Sequence, residues 1–283
     1  MKKVLSTFTL ITGCALLFTA CKKDDSSAMS DDMEKTVEMS ENKAIADYLT
    51  EDVHQIMMEA AADEDLMGNR PSVGTLTEAR ITSCATVTVT PLVGFPKTVL
   101  IDFGTGCTDP RGITRSGSIT VVISDSLRRP GSQSVMTFQN YFVQGFKKEG
   151  TITWTNTSIP GRKSWSREVV NGKITAPNGT RFWMHESMRD VEQVAGVQTP
   201  RMILDDAFIT TGHGSVTNPG NITRTDTIVT PLHKAVSCDN IDRGTVRFTG
   251  PNHVALLDFG NGTCDRIATI SINGFPPRTI LLR

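Results

Sequence analysis

The sequence predicts a mainly β protein, with antiparallel sheets arranged as a sandwich or an extended sheet stack and one amphipathic helix near the amino end. Two observations indicate this fold class. Beyond Pro71, short runs of alternating Thr, Val, Ile and aromatic residues are broken roughly every eight to twelve residues by Gly, Pro or Asn, which is typical of short β-strands. Only one segment shows a helical period, so the crossover helices that a parallel α/β sheet requires are missing.

The amino end is typical of a secretory signal. Met1-Lys2-Lys3 precedes an apolar run from Val4 to Ala20, which is too short to serve as a membrane-spanning helix. The following residues, Leu17 to Cys21, resemble a bacterial lipobox, so we expect a signal peptide over 1–20 and lipidation of Cys21 with palmitate-like chains. Several acyl chains would anchor the protein firmly to a membrane. An ordinary secretory signal without lipid is the alternative.

Residues 21–41 are predicted to form a disordered acidic tether. The stretch from Asp24 to Glu41 carries seven acidic residues against one Lys. A segment of this composition buries too little apolar surface to offset the entropy lost on ordering. We therefore expect the ordered part of the protein to begin after residue 41.

A helix is predicted over residues 42–68. Its apolar positions recur at steps of three and four residues, at Ile45, Leu49, Val53, Ile56 and Ala60. Ser40 or Asn42 is a suitable amino-terminal cap, and Gly68 and Pro71 are suitable stop signals. We expect the apolar face to pack on a sheet, with the acidic face and His54 in solvent.

The remaining chain divides into a first β region, 72–200, and a second, 201–283, with one continuous β domain as the alternative. Internal similarity links the two regions, because Ala85-Thr-Val-Thr-Val89 followed by Gly94-Phe-Pro96 is echoed by Ala268-Thr-Ile-Ser-Ile272 followed by Gly274-Phe-Pro276. The repeated pattern predicts that one type of β-hairpin is used twice.

A second repeat is Asp102-Phe-Gly-Thr-Gly-Cys-Thr-Asp109 and Asp258-Phe-Gly-Asn-Gly-Thr-Cys-Asp265. Glycine tolerates positive φ and an aspartate can accept hydrogen bonds from turn amides, so we interpret both copies as structural turns. A loose Ca²⁺ site using Asp102 with Asp109, or Asp258 with Asp265, is the alternative. We otherwise predict no metal site and no cofactor.

The cysteines predict disulfides. Apart from Cys14 in the signal and Cys21, four remain, and an even number in an exported chain favours disulfide pairing. Each repeat copy places one cysteine beside the turn and another 23 or 26 residues upstream, which favours Cys84–Cys107 and Cys238–Cys264 over the other two pairings. Four free thiols are the alternative.

No catalytic constellation is visible in the sequence. His185-Glu186-Ser-Met-Arg189, for example, has Arg where a zinc protease helix needs its second His. The aromatic residues of the middle β region are instead candidates for binding, since exposed rings could stack on sugars and contact a glycan: Tyr141, Trp154, Trp165 and Trp183. The alternative is that these rings fill the core.

Charge and pattern together suggest an envelope protein. The net charge of −1 and scattered Lys and Arg exclude a basic surface for nucleic acid. The Cys21-Lys-Lys-Asp-Asp25 segment, the Asp-Phe-Gly turns and the charged-Gly-strand repeats resemble uncharacterised β-rich surface lipoproteins of the Bacteroidota. That resemblance implies a lipid anchor in the outer membrane, a cell-surface location and no known reaction.

We therefore expect an outer-membrane-anchored lipoprotein with a non-enzymatic binding or structural β module. A glycan-binding or glycan-active surface protein is the alternative. The expected partners are the membrane, through the lipid anchor, and a glycan or another envelope protein.

Overall fold

The computed structural model describes residues 25–64, 66, 81–199, 202–250 and 252–282. The predicted signal peptide, the lipidation site Cys21 and the predicted helix stops Gly68 and Pro71 lie outside the described residues.

One long helix, α1, spans Asp25–Asp63. It begins well before residue 42, so the prediction of a disordered tether up to residue 41 is wrong from Asp25 onward. The physical reason is tertiary contact: Met33 and Val37 pack against apolar residues of the last strands. That packing stabilises helix in a segment whose composition alone favours a solvated, disordered chain.

The strands occupy most of the chain after residue 85. Short 3₁₀ turns at Ile81–Cys84 and Ile203–Asp205 precede β1 and β9. Fourteen strands are present in the described ranges: β1 Thr86–Thr90, β2 Lys97–Asp102, β3 Cys107–Thr108, β4 Thr114–Ile123, β5 Gln133–Val143, β6 Phe146–Asn156, β7 Ser164–Thr175, β8 Phe182–Ala195, β9 Ala207–Thr217, β10 Thr223–Ala235, β11 Arg243–Thr249, β12 Val254–Asn261, β13 Ile267–Ile272 and β14 Arg278–Leu281.

All these strands belong to one antiparallel sheet, which confirms the predicted mainly β class. The order is β1-β2-β4 and then each strand in sequence to β14, with the short β3 paired beside β4. Of the two predicted arrangements, the sheet is therefore extended and not split into a sandwich. β8 pairs with β9 across the predicted boundary at residue 200, so the sheet is continuous there.

The sheet curves around the helix. Asp52 is ion-paired with Arg115 on β4, whereas Lys43 lies 3.7 Å from Asp226 on β10. Nine helical residues separate the two contacts by about 14 Å along the axis. β4 and β10 are six strand steps apart, or about 29 Å on a flat sheet. No residue from Asn42 to Ala61 is exposed, as expected if strands surround this part of the helix.

Two apolar cores fill the concave side. We call the larger one the first core; it combines α1 residues such as Leu49 and Val53 with residues of β2–β9. The second core contains twelve buried residues, all from the strand region between Ile228 and Leu282, with Met33 and Val37 of the helix at its margin. The helix is therefore central to one core and peripheral to the other.

The repeated hairpin forms the two edges of this sheet. β1 pairs with β2, and β13 pairs with β14, so both copies of the motif fold as predicted into antiparallel hairpins. β1 and β14 are the first and last strands of the sheet order. The internal similarity thus marks structurally corresponding ends of one sheet.

Candidate functional site

The four aromatic residues predicted to contact a glycan do not form an exposed platform. Trp154, Trp183 and Tyr141 are buried, with at most 4% of their surface exposed, and Trp165 is half-buried with its ring edge against Phe208. Each of the three buried rings lies on the concave face of its strand and belongs to the first core. The glycan-stacking prediction is therefore wrong for these three rings, because strand alternation places them inward.

Both disulfides have the pairing that the sequence favours. Cys84 is bonded to Cys107 and Cys238 to Cys264, with Cα–Cα distances of 5.8 and 5.2 Å. The first links the 3₁₀ turn before β1 to β3, and the second links the loop after β10 to the loop after β12.

The first Asp-Phe-Gly segment leads from the end of β2 into a turn at Gly104, as predicted. The second lies within β12, which continues to Asn261 and pairs with β11 through a register shift, so the predicted turn at the second copy is wrong. Asp102 accepts a hydrogen bond from the Gly104 amide, and Asp258 accepts one from the Gly260 amide, both at 2.8 Å. Both glycines have positive φ, of 60° and 95°, which supports the structural interpretation.

The other two acids of the proposed Ca²⁺ sites have partners of their own. Asp109 is buried and accepts hydrogen bonds from Arg115 and the Ile113 amide, and Asp265 accepts one from the Ile267 amide. Among the residues that the structure describes, the one cluster with metal-ligand spacing is Cys238, Asp242 and Cys264, and its two sulfurs are bonded to each other.

The concave face contains a set of buried ion pairs that sequence reasoning missed. Acids of α1 meet bases of the sheet: Asp52 accepts from Arg115 Nε at 3.1 Å, and Glu51 is paired with Arg167 on β7. Within the sheet, Arg189 on β8 is paired with Asp226 on β10. We call these residues, with Lys43 and Asp47, the ionic cluster.

A sequence signal for the ionic cluster did exist. Arg167 is two residues from Val169 on β7, and Arg189 is two residues from Val191 on β8. Residues two apart point to the same face of a strand, so each arginine points inward with a buried valine. A charged side chain on the buried face of a strand requires a buried partner of opposite charge. For Arg167 the partner is Glu51 of the helix, on the face that was interpreted as solvent-exposed, and for Arg189 it is Asp226 of β10.

His54 was also misplaced by the sequence interpretation, which put it in solvent. Its ring stacks on Trp154 with a centroid distance of 3.8 Å and an interplanar angle of 18°. Burial lowers the pKa of His54 to about 4, with nearby Glu51 opposing that shift and Arg167 adding to it. The imidazole is therefore neutral at neutral pH.

Neighbouring bases of the cluster keep Asp47 and Glu51 ionised. Burial alone would raise the pKa of Asp47, but Lys43 and Arg189 outweigh it and lower that pKa to about 2. Burial likewise opposes ionisation of Glu51, yet Arg167 holds its pKa below the ordinary value. In contrast, burial, assisted by Arg167, lowers the pKa of Lys148 to about 7.

A cavity of about 380 Å³ lies at one end of the helix–sheet interface. Its walls combine α1 with the concave sides of β5 to β10 and the loops that join them. Much of the wall is apolar, including Met57, Met58, Leu127, Val191 and Phe208. Trp154, Arg167 and Arg189 also line it, so the ionic cluster and the stacked Trp154–His54 pair border an apolar space.

A second cavity of about 450 Å³ separates the helix from the second core. Its helical wall is polar and includes Lys43, Asp47 and Glu51, whereas its sheet wall is apolar and includes Phe259 and Leu257. Cavities therefore adjoin the helix on both sides, and what distinguishes the second core is that its twelve buried residues all come from the strand region.

Comparisons with known proteins find no match: no family model fits the chain, and neither the curated proteins nor the solved structures contain a significantly similar one. Within the described ranges, no helix has both the length and the apolar character that a membrane crossing needs.

Proposed function

We propose that this chain is a lipoprotein anchored in the outer membrane through Cys21, and that its β module binds a small ligand without catalysing a reaction. The observation that carries the binding function is the cavity of about 380 Å³ between α1 and the sheet. Its volume is in the range of small-molecule sites, and a mostly apolar wall with a few placed polar groups is what such sites share. The anchor rests on the lipobox-like sequence.

The ion pairs support a binding role over catalysis. Asp47 is held 2.5 Å from Lys43, and Glu51 is paired with Arg167. A carboxylate whose pKa is lowered by a bound cation is a weak proton acceptor, so these acids suit charge balance better than acid–base chemistry. We do not carry the glycan function forward, since three of the four rings proposed for it are buried and the fourth, Trp165, is half-buried.

The anchor is tested at Cys21. The variant Cys21→Ser should accumulate as an unprocessed precursor and take up no labelled fatty acid, because the acceptor thiol is gone. The measurement is metabolic labelling with an alkyne fatty acid, compared with the unmodified chain. Equal labelling of the two proteins would refute the lipoprotein proposal.

The cavity is tested with a neutral apolar fluorophore, N-phenyl-1-naphthylamine, added to the mature chain carrying Cys21→Ser. The probe should bind saturably with one site per chain. Val197 lines the cavity, so Val197→Trp should obstruct it and weaken binding about tenfold or more.

The matched control is Val194→Trp, at an exposed position three residues away. This variant should bind the probe like the parent, because its new ring lies in solvent. Absence of saturable binding, or equal loss in both tryptophan variants, would count against the interior site.

A further inference from the structure

Four side chains form a row across neighbouring strands at the wall of the smaller cavity. The strand register places Ser134 of β5 opposite Trp154 of β6, Trp154 opposite Arg167 of β7, and Arg167 opposite Arg189 of β8. All four are buried and all four line the cavity of about 380 Å³. We call Ser134, Trp154, Arg167 and Arg189 the donor row.

Each member of the donor row has a buried hydrogen-bonding group with no partner in the described part of the chain. These groups are Ser134 Oγ, Trp154 Nε1, Arg167 Nε and Arg189 Nη1. The indole and guanidinium nitrogens can only donate, and the hydroxyl can donate. Buried donors normally find an acceptor, since leaving one unpaired is unfavourable. Four of them in one cross-strand row indicate an acceptor that occupies the cavity.

The charge around the donor row favours an anion as that acceptor. The cavity lining contains five basic residues against three acidic ones: Arg128, Lys163, Arg167, Arg189 and Lys234 against Asp47, Glu51 and Asp206. Arg167 and Arg189 already pair with Glu51 and Asp226 through other nitrogens, so their unpaired N–H groups are additional donors in fixed positions. Hydrogen bonds from guanidinium to a carboxylate are among the strong ones.

The centre of the row is the pair Trp154 and Arg167. The guanidinium carbon of Arg167 lies 5.4 Å from the centre of the Trp154 ring, and His54 covers this ring from the helix side. Met57 and Met58, on the next turn of α1 after His54, supply flexible apolar wall. An anionic group at Trp154 and Arg167 would therefore have an apolar compartment next to it.

We propose that the donor row binds the carboxylate of an amphipathic monocarboxylic acid, with its unbranched apolar chain against Met57, Met58 and Leu127. Trp154 and Arg167 contact the carboxylate, and Ser134 and Arg189 flank it. This assignment rests on the proposed function, because it needs the cavity to be a ligand site; it adds the chemical class of the ligand.

The experiment compares three probes with the same chain length and different head groups: decanoate, decanol and decyltrimethylammonium. Each displaces N-phenyl-1-naphthylamine from the mature chain carrying Cys21→Ser. We expect decanoate to bind at least tenfold more tightly than decanol, and the cation to bind most weakly, because hydrogen bonds to a charged group are worth a factor of about ten or more.

Two variants remove an unpaired donor of the row and keep the aromatic character or the charge at that position. Trp154→Phe removes the indole N–H, and Arg167→Lys removes Nε while keeping a cation beside Glu51. Each should weaken decanoate binding about tenfold and leave decanol binding unchanged. Ser134→Ala, the smallest change in the row, should weaken decanoate binding several-fold and serves if a larger substitution does not fold.

The matched control is Trp183→Phe. Trp183 is equally buried and its Nε1 also lacks a partner in the described ranges, but it does not line this cavity. Trp183→Phe should therefore leave the affinities for decanoate and decanol unchanged. Equal weakening of decanoate binding by Trp183→Phe and Trp154→Phe would overturn the assignment of the donor row.

The outcomes separate the two proposals. Equal affinity for decanoate and decanol, or displacement of decanoate by millimolar inorganic phosphate, would overturn the amphipathic acid while cavity binding stands. If the fluorophore binds but none of the three probes displaces it, the amphipathic acid is likewise overturned while cavity binding stands. No binding of fluorophore or probes would refute the proposed function itself.

Discussion

The two halves of the sheet meet the same helix in different ways. In the first core, Leu49 and Val53 of α1 are buried among strand residues, and the ionic cluster joins the same helical turns to β4, β7 and β10. In the second core every fully buried residue comes from the strand region. There the helix contributes Met33 and Val37 at the margin, and a cavity of about 450 Å³ lies between.

This difference shows that the helix and the sheet are matched mainly in the first half. Substituting one partner of a buried salt bridge is strongly destabilising, because the other partner is left as an uncompensated buried charge. Truncating an apolar side chain next to a cavity costs less stability, since that side chain has fewer contacts to lose. We therefore expect the first core to respond more strongly than the second to equivalent substitutions.

The largest effect is expected from Arg115→Met. Arg115 is 1% exposed and bonds both Asp52 of the helix and Asp109, so its loss leaves two buried carboxylates without this cation. The free energy of unfolding should fall by about 3–5 kcal/mol. Denaturant unfolding measures this change. The control Arg247→Met, at an exposed position on β11, should alter stability by no more than about 0.5 kcal/mol.

A smaller contrast is expected between Leu49→Ala and Leu257→Ala. Both leucines are almost completely buried, but Leu257 borders the cavity of about 450 Å³ whereas Leu49 is packed within the first core. Leu49→Ala should cost about 3–4 kcal/mol and Leu257→Ala about 2 kcal/mol, because the second site has fewer contacts to lose. Urea midpoints at unchanged m-values would give both numbers. A larger loss for Leu257→Ala would reverse the proposed ranking of the two cores.

An effect no larger than that of Leu257→Ala concerns pH and Lys148, which donates to Thr50 of the helix at 3.0 Å. Burial, together with Arg167, lowers its pKa from 10.5 to about 7, so between these values the unfolded chain holds a proton that the folded chain has released. Stability should therefore rise with pH in this window, and the full cost of charging Lys148 is present below about pH 7.

The size of that effect is about 2 kcal/mol between about pH 7.5 and about pH 9, from a slope of about 1.4 kcal/mol per pH unit. Lys148→Met should remove this rise and should be more stable than the parent near neutral pH. Unfolding curves at the two pH values test it. The matched control is Lys173→Met, at a half-buried position on the neighbouring strand β7, which should keep the rise. If the rise persists in Lys148→Met, Lys148 is not its source.

Local patterns predicted the parts of the fold that depend on neighbouring residues. Period-two alternation identified the strands, and the repeated Gly-Phe-Pro pattern identified the hairpins β1–β2 and β13–β14. The spacing of the four cysteines favoured Cys84–Cys107 and Cys238–Cys264 because each turn brings one cysteine near its upstream partner.

The same patterns could not predict the ionic cluster or the cavity. Asp52 and Arg115 are 63 residues apart, and Glu51 and Arg167 are 116 apart, so no local window contains both partners. Acids on a helix are usually solvated, and only a sheet that curves around α1 makes them internal. The aromatic residues failed in the opposite direction, since the rings of Trp154 and Trp183 were candidates for exposed stacking on a glycan, whereas both are buried.

By itself, the sequence determined the strand-rich class, the turn at Gly104 and the cysteine partners, because these follow from backbone preferences and short-range closure. Tertiary structure alone decided that α1 extends to Asp25, that its acids face Arg115 and Arg167, and that an apolar cavity adjoins the donor row. Burial and charge pairing at those sites depend on which distant strands surround the helix, and strand curvature is a property of the whole sheet.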